Sequence, residues 1–284
     1  MNARALFAVS LVFLCTPSLR ANDHRDNAPR DNAPRASTPS VNQQASPGIM
    51  DPSQMSPRQV AELRGDILMA EKDYEGAVKM YVAILATDRS DAHLLNKLGV
   101  ACEQLNETRQ AEHYFKQSMK ADKTFVSPVN NLGTLEYSKG NYGKAIQYYK
   151  KAVKLRDDLG AVYSNLGYAY FGKKDYVEAM TSFQKAIAVD PEVFSHHGGA
   201  GSILQQRSAT DPGLFYFLVA KTYAEGGDAE QAAHYLKLAR DSYYKDFLSA
   251  EKDPAFAKVI NDPRVQEVLV VPPSYAGNRK TMQN

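Results

Sequence analysis

The side chains best suited to metal or nucleophilic chemistry are few in this chain of 284 residues, which has six His and two Cys. His196 and His197 are adjacent, and neighbouring imidazoles can ligate a metal when a carboxylate or thiolate joins them at ligand spacing. No such partner recurs around them in Phe194 to Pro212 (FSHHGGAGSILQQRSATDP). There is no Gly-rich phosphate loop, no His-Glu-x-x-His and no paired-Cys spacing. Asp157-Asp158 reads as a solvated pair between helices. The sequence therefore leads us to expect no catalytic residue, no cofactor, no resident metal and no small-molecule substrate. Lys plus Arg total 34 against 32 Asp plus Glu, a net charge of +2, so no nucleic-acid partner is expected either.

Amides and aromatics remain. A carboxamide offers a donor and an acceptor side by side, the complement of a peptide bond. Asn96, Asn130, Asn131 and Asn165 are the amides at repeating positions, and Tyr137, Tyr168 and Phe171 are aromatics near them.

A 34-residue register positions these side chains. Gly65, Gly99, Gly133 and Gly167 are spaced by 34, and Leu precedes the last three. Twelve residues after each Gly stands Ala77, Ala111, Ala145 or Ala179. Sixteen after stands Tyr81, Phe115, Tyr149 or Phe183. A Gly within a helix costs about 1 kcal/mol against Ala, which is tolerable where it lets a second helix approach. The small Ala serves the same contact, and the aromatics are expected to fill the gap between successive repeats. Over about Gln54 to Pro191 this pattern resembles the tetratricopeptide repeat, a unit of about 34 residues forming two antiparallel helices. The resemblance implies an all-α superhelix of four regular repeats, a divergent fifth and short C-terminal capping helices. It also implies a concave groove, lined by the first helices, that holds an extended segment of another protein.

The divisions expected along the chain are as follows. Residues 1–21 read as a secretory signal peptide: a positive start, the apolar run Ala5 to Cys15, and a polar exit cut after Ala21. Phe13 and Leu14 ahead of Cys15 do not suit lipidation, and the apolar run falls short of the roughly 20 residues that span a bilayer. This points to a periplasmic or secreted protein with no stable membrane insertion after cleavage. Residues 22–55 form a linker with the tandem RDNAP-RDNAP. Residues 56–191 hold four repeats, at about 58–91, 92–125, 126–159 and 160–193. Residues 194–212 are a Gly-rich insert and 213–246 a fifth repeat with Ala220 in the Gly slot. Residues 247–271 are capping helices, with helices expected at Pro254 to Ile260 and Pro263 to Val270, and 272–284 a tail.

Counting from each Gly, the positions two and three before it and one and four after it face or flank the groove. In the second to fourth repeats these positions include Val100, Glu103 and Ser164, and the candidate peptide-binding set drawn from them is Asn96, Lys97, Asn130, Asn131, Thr134, Tyr137, Asn165, Tyr168 and Phe171. Asn131 and Asn165 directly before Leu-Gly look like the asparagine ladder of the repeat domain of O-linked N-acetylglucosamine transferase, whose amides grip peptide backbone. The other reading of the same amides is packing between helices. Lys97 and Arg109 stand isolated, so a Lys/Arg clamp for a C-terminal carboxylate is not visible. Cys102 is expected to be an inert core thiol, and Glu136 at the equivalent position calls for local pairing. A non-enzymatic protein-binding scaffold is the function these features favour. An assembly factor for a pilus or secretion machine, and a metal protein acting through the His-containing insert, are the alternatives.

Overall fold

The structure is a computed structural model describing residues 55–194 and 211–270. The signal peptide, the linker up to Gln54, Cys15, His196, His197, the body of the insert and the tail lie outside the described residues. The described residues form eleven α-helices and two 3-10 turns, with no strand among them.

Four antiparallel pairs come first: α1 Pro57–Ala70 with α2 Tyr74–Leu85, α3 Ala92–Gln104 with α4 Thr108–Ala121, α5 Val126–Ser138 with α6 Tyr142–Leu155, and α7 Gly160–Gly172 with α8 Tyr176–Val189. A fifth pair, α9 Pro212–Gly226 and α10 Ala229–Asp241, follows residues 195–210. Each second helix also packs on the first helix of the next pair, so the pairs stack into a solenoid.

The helix starts are written in the sequence. Ser56 accepts from the Gln59 N–H while Gln59 reaches back to the Ser56 N–H, a closed capping box ahead of Pro57. Asp73, Asp91, Asp211 and Asp228 cap α2, α3, α9 and α10 through side-chain oxygens. Such caps are typically worth about 1 kcal/mol each.

The turn inside every pair is one repeated device. Lys72, Asn106, Gly140, Lys174 and Gly227 all adopt positive φ. The next residue's N–H reaches five residues back, as from Asp73 to the Leu68 carbonyl and from Glu107 to that of Cys102. This satisfies the carbonyls left open at the end of the first helix.

The Gly–aromatic contact lies within a pair. A Cβ built on Gly65, Gly99 or Gly133 would stand 2.5–2.6 Å from the ring of Tyr81, Phe115 or Tyr149 respectively, and Gly167 meets Phe183 in the same way. Each ring covers the Gly of its own pair, and at the fourth pair the expectation that the ring also fills the gap to the next repeat holds, since Phe183 reaches Phe215 of the fifth pair at 5.8 Å. The junction between the fourth and fifth pairs is filled by an aromatic cluster that includes Phe183. Tyr168 stacks on Phe215 at 5.1 Å, and Phe194 stands edge-on to Phe183 at 5.4 Å. The Tyr235 hydroxyl donates to the Phe194 carbonyl and that of Tyr223 to the Pro191 carbonyl. Phe194, placed by the sequence in the insert, is thus half-buried and packed against the core.

At the C-terminal end, 3-10 turns at Phe247–Glu251 and Pro254–Phe256 precede α11, Pro263–Leu269. The helix expected from Pro254 to Ile260 is therefore a 3-10 turn continued by hydrogen-bonded turns. Its bonds are mostly of the short i→i+3 kind, as from the Val259 N–H to the Phe256 carbonyl. Phe256 and Val259 are buried here, as are Val265, Val268 and Leu269 of α11.

Candidate functional site

The first helices present a regular set of rungs. Asn131 Nδ2 donates to Asn96 Oδ1 at 3.0 Å, and Asn165 Nδ2 donates to Asn130 Oδ1 at 3.0 Å. The junction before them has the same form with charges. Lys97 Nζ donates to Glu62 Oε1 at 2.7 Å and to the two Asp66 oxygens at 2.8 and 2.7 Å. In all three, the donor stands two residues before its own Gly and reaches the residue three before the preceding Gly, 35 positions back. The sequence singled out these residues; the structure pairs them with one another.

This changes what each can offer a ligand. Lys97 is not isolated. It is pinned between two carboxylates, and Asp66 also accepts from the Tyr81 hydroxyl at 2.7 Å. Asn131 and Asn165 each spend an amide hydrogen on the neighbouring helix. The Asn165 carbonyl oxygen is buried with no protein partner, and the residue is only 3% exposed. Tyr168 and Phe171 are 1% and 3% exposed because α9 packs over them through Phe215. Tyr137 is buried beside Tyr142, at 5.3 Å between ring centroids. Tyr137, Asn165, Tyr168 and Phe171 are thus interior residues, whose faces no peptide meets without displacing neighbouring helices. Asn96, Asn130, Asn131 and Thr134 stay half-buried on the first helices. Asn96 and Asn130 act as acceptors in their rungs, which leaves their amide hydrogens for something else. Thr134 shares its hydroxyl with that of Tyr149 at 3.2 Å.

One of the groove-flanking positions read from the sequence holds a carboxylate that is not in the candidate set. Glu103, one turn beyond Gly99 on α3, has no salt bridge among the described residues, and burial pushes its carboxyl up to about 7. A carboxyl raised in the folded state contributes stability that is complete below about pH 4.5 and is lost as pH rises through about 7. The residue as a whole is only partly buried, so the contribution is modest. Glu103→Gln is expected to be more stable than wild type by about 1–2 kcal/mol at pH 8 and nearly equal at pH 4.5. Urea titrations at the two pH values measure the gap; one that does not widen with pH would disprove the assignment.

Gln104 Nε2 and the Tyr168 hydroxyl are also buried without a hydrogen-bond partner among the described residues, whereas Glu136 is satisfied locally. Glu136 accepts from Lys139 at 3.1 Å and from Asn141 at 2.9 Å. Burial works to raise its carboxyl, but those bonds outweigh it and hold the group below the usual range. Cys102 is fully buried, and desolvation pushes its thiol up to about 11, so it stays protonated at neutral pH. Among the described residues no three His, Cys, Asp or Glu gather closely enough to hold a metal ion, and no helix is long and apolar enough to cross a membrane.

Tetratricopeptide-repeat family descriptions match residues 92–125 and 127–192. Among solved structures, the chain is similar to pilF of Pseudomonas aeruginosa, with TM-score 0.50 and 16% identity, covering 79% of this chain and 91% of that one. It is also similar to MamA from Desulfovibrio magneticus RS-1, with TM-score 0.47 and 16% identity over 67% and 97% of the two chains. A third is YrrB, described as a tetratricopeptide-repeat protein with an unusual peptide-binding site, with TM-score 0.44 and 19% identity over 68% and 91%. At these identities the likeness concerns the fold alone. No curated protein sequence matches the chain. Stacked helix pairs, a Gly–aromatic contact in each of the first four and the matches over residues 92–125 and 127–192 together make this an all-α solenoid built from tetratricopeptide repeats.

Proposed function

We propose that the chain is an exported, non-enzymatic scaffold that holds an extended segment of another protein along its first helices. The observation that carries this reading is the pair of half-buried rung acceptors, Asn96 and Asn130. Each has its carbonyl fixed by a neighbour and its amide hydrogens uncommitted. A fixed amide is pre-organised, so a peptide carbonyl bound there costs little side-chain entropy. Asn131 contributes a carbonyl and Thr134 a hydroxyl. Toward the N-terminal end, Glu62, Asp66 and Glu103 outnumber Lys97, which favours a segment carrying Lys or Arg there. Tyr137, Tyr168, Phe171 and Asn165 are left out of the binding set because of their burial. Export rests on the three-part N-terminus, and the mature chain is expected to begin at Asn22 by mass spectrometry.

The test separates gripping from packing. In the double variant Asn96→Asp with Asn130→Asp, each rung acceptor is kept and the free amide donors are lost. For a neutral peptide selected by display against the wild-type chain, affinity is expected to fall tenfold or more, the equivalent of two neutral hydrogen bonds, with helicity unchanged. Asn165→Ala keeps the donors but frees Asn130 from its rung, so it should lower stability and weaken that affinity by less than the Asp pair does. Full affinity in the Asp variant would remove the asparagines from the binding site.

A further inference from the structure

Charge is strongly segregated in this nearly neutral chain. Residues 108–156 carry ten Lys or Arg and three Asp or Glu, while the other described residues carry 16 basic and 25 acidic side chains. The excess concentrates on two neighbouring second helices. On α6, Lys144, Lys150, Lys151 and Lys154 occupy exposed positions, and that helix contains no carboxylate. On α4, Lys116 and Lys120 are exposed, and the single carboxylate of that helix, Glu112, is bonded to Lys116 and Lys139. The two helices adjoin, since Lys151 Nζ lies 3.3 Å from Met119 Sδ. First helices line the concave side of such a solenoid, so this cationic face is on the outer curve, away from the peptide groove.

We propose that the outer face of α4 and α6 docks on an anionic phospholipid surface. The composition of the face selects that partner. Protein interfaces have an apolar or aromatic centre and are depleted in Lys. This face is built on Lys, and none of the large exposed hydrophobic side chains among the described residues lies on α4 or α6. Sites that read phosphate or nucleic acid specifically favour Arg for its bidentate fork. Here Arg109 is the one Arg on the two helices. Hydrated ammonium groups on flexible stems, spread over two side-by-side helices, suit a diffuse layer of negative headgroups, which requires neither shape matching nor apolar insertion. Docked this way, the chain would turn its peptide groove away from the bilayer.

The test is co-sedimentation of the full chain with vesicles of phosphatidylcholine alone and of phosphatidylcholine with about a third phosphatidylglycerol, a composition at which surface charge dominates. Neutral vesicles set the baseline for any insertion by the apolar N-terminal run. An increment on anionic vesicles is expected, lost at high salt because the Debye length shrinks from about 10 Å at 0.1 M to about 3 Å at 1 M. Changing Lys120, Lys150, Lys151 and Lys154 together to Gln should reduce the increment at least tenfold with circular dichroism unchanged. Changing the same four to Arg should retain it. The proposal is overturned if the anionic increment is absent, if the Gln variant keeps it, or if the Arg variant loses it. Retention on polyglutamate or duplex DNA without a vesicle increment would also overturn it, and would assign the face to an acidic polymer.

Discussion

Phe183→Ala is expected to cost about 3–5 kcal/mol, the range for truncating a fully buried Phe. Phe183 is completely buried, covers Gly167 of its own pair and meets Tyr168, Phe194 and Phe215 at 5.4–5.8 Å between ring centroids. Its loss would leave a cavity where three elements meet: the fourth pair, the turn carrying Phe194 and the fifth pair. Solenoid stability is approximately a sum of repeat and nearest-neighbour terms. The damage should therefore be local first, loosening the fifth pair from the fourth. Urea unfolding followed by far-UV circular dichroism is expected to show a lower midpoint and a broader or split transition. A cost below about 1 kcal/mol would mean that the site collapses around the deletion, and that this cluster does not join the two pairs.

The same cluster shows where sequence reading stops. The 34-residue register was legible because Gly, Ala and aromatic residues recur for a local reason, the contact of two helices within one pair. That contact needs only residues close in sequence, so spacing reveals it. The burial of Tyr168 and Phe171 was not legible, because it depends on α9, which lies beyond an irregular stretch and packs by rotation between pairs. Period alone does not fix that rotation. The asparagine pairs lie between these cases. Their positions were visible, but the 35-residue offset that joins donor to acceptor emerges only from the stagger of adjacent first helices. Lys97 appeared isolated because its carboxylates, Glu62 and Asp66, stand 35 and 31 residues away. Cys102 and Glu136 occupy equivalent positions and meet different fates. The thiol needs no partner and stays buried, whereas the carboxylate is held at the surface end of its site by Lys139 and Asn141.

The Gly–aromatic contact gives the second large effect. Gly133→Ala is expected to destabilise by about 2–3 kcal/mol, although Ala is the better helix former by about 1 kcal/mol. The added methyl would stand 2.6 Å from Tyr149 Cε1 and 2.8 Å from Cδ1, closer than such atoms can come. Tyr149 is fully buried, and its ring is wedged in the core rather than free at the end of a flexible chain. Relief therefore requires α5 and α6 to separate, and that strains the junctions with α4 and α7 on either side. Gly143→Ala provides the contrast, because nothing within 4 Å would meet its Cβ. That change should be neutral or slightly stabilising through helix propensity alone. Combining Gly133→Ala with Tyr149→Leu should restore part of the loss, since the smaller side chain vacates the contested space and the two changes then fail to add. Thermal and urea unfolding of these three variants and of Tyr149→Leu alone measure this directly. If Gly133→Ala matched Gly143→Ala in stability, the ring would be free to move, and the repeat would owe its glycine to something other than helix approach.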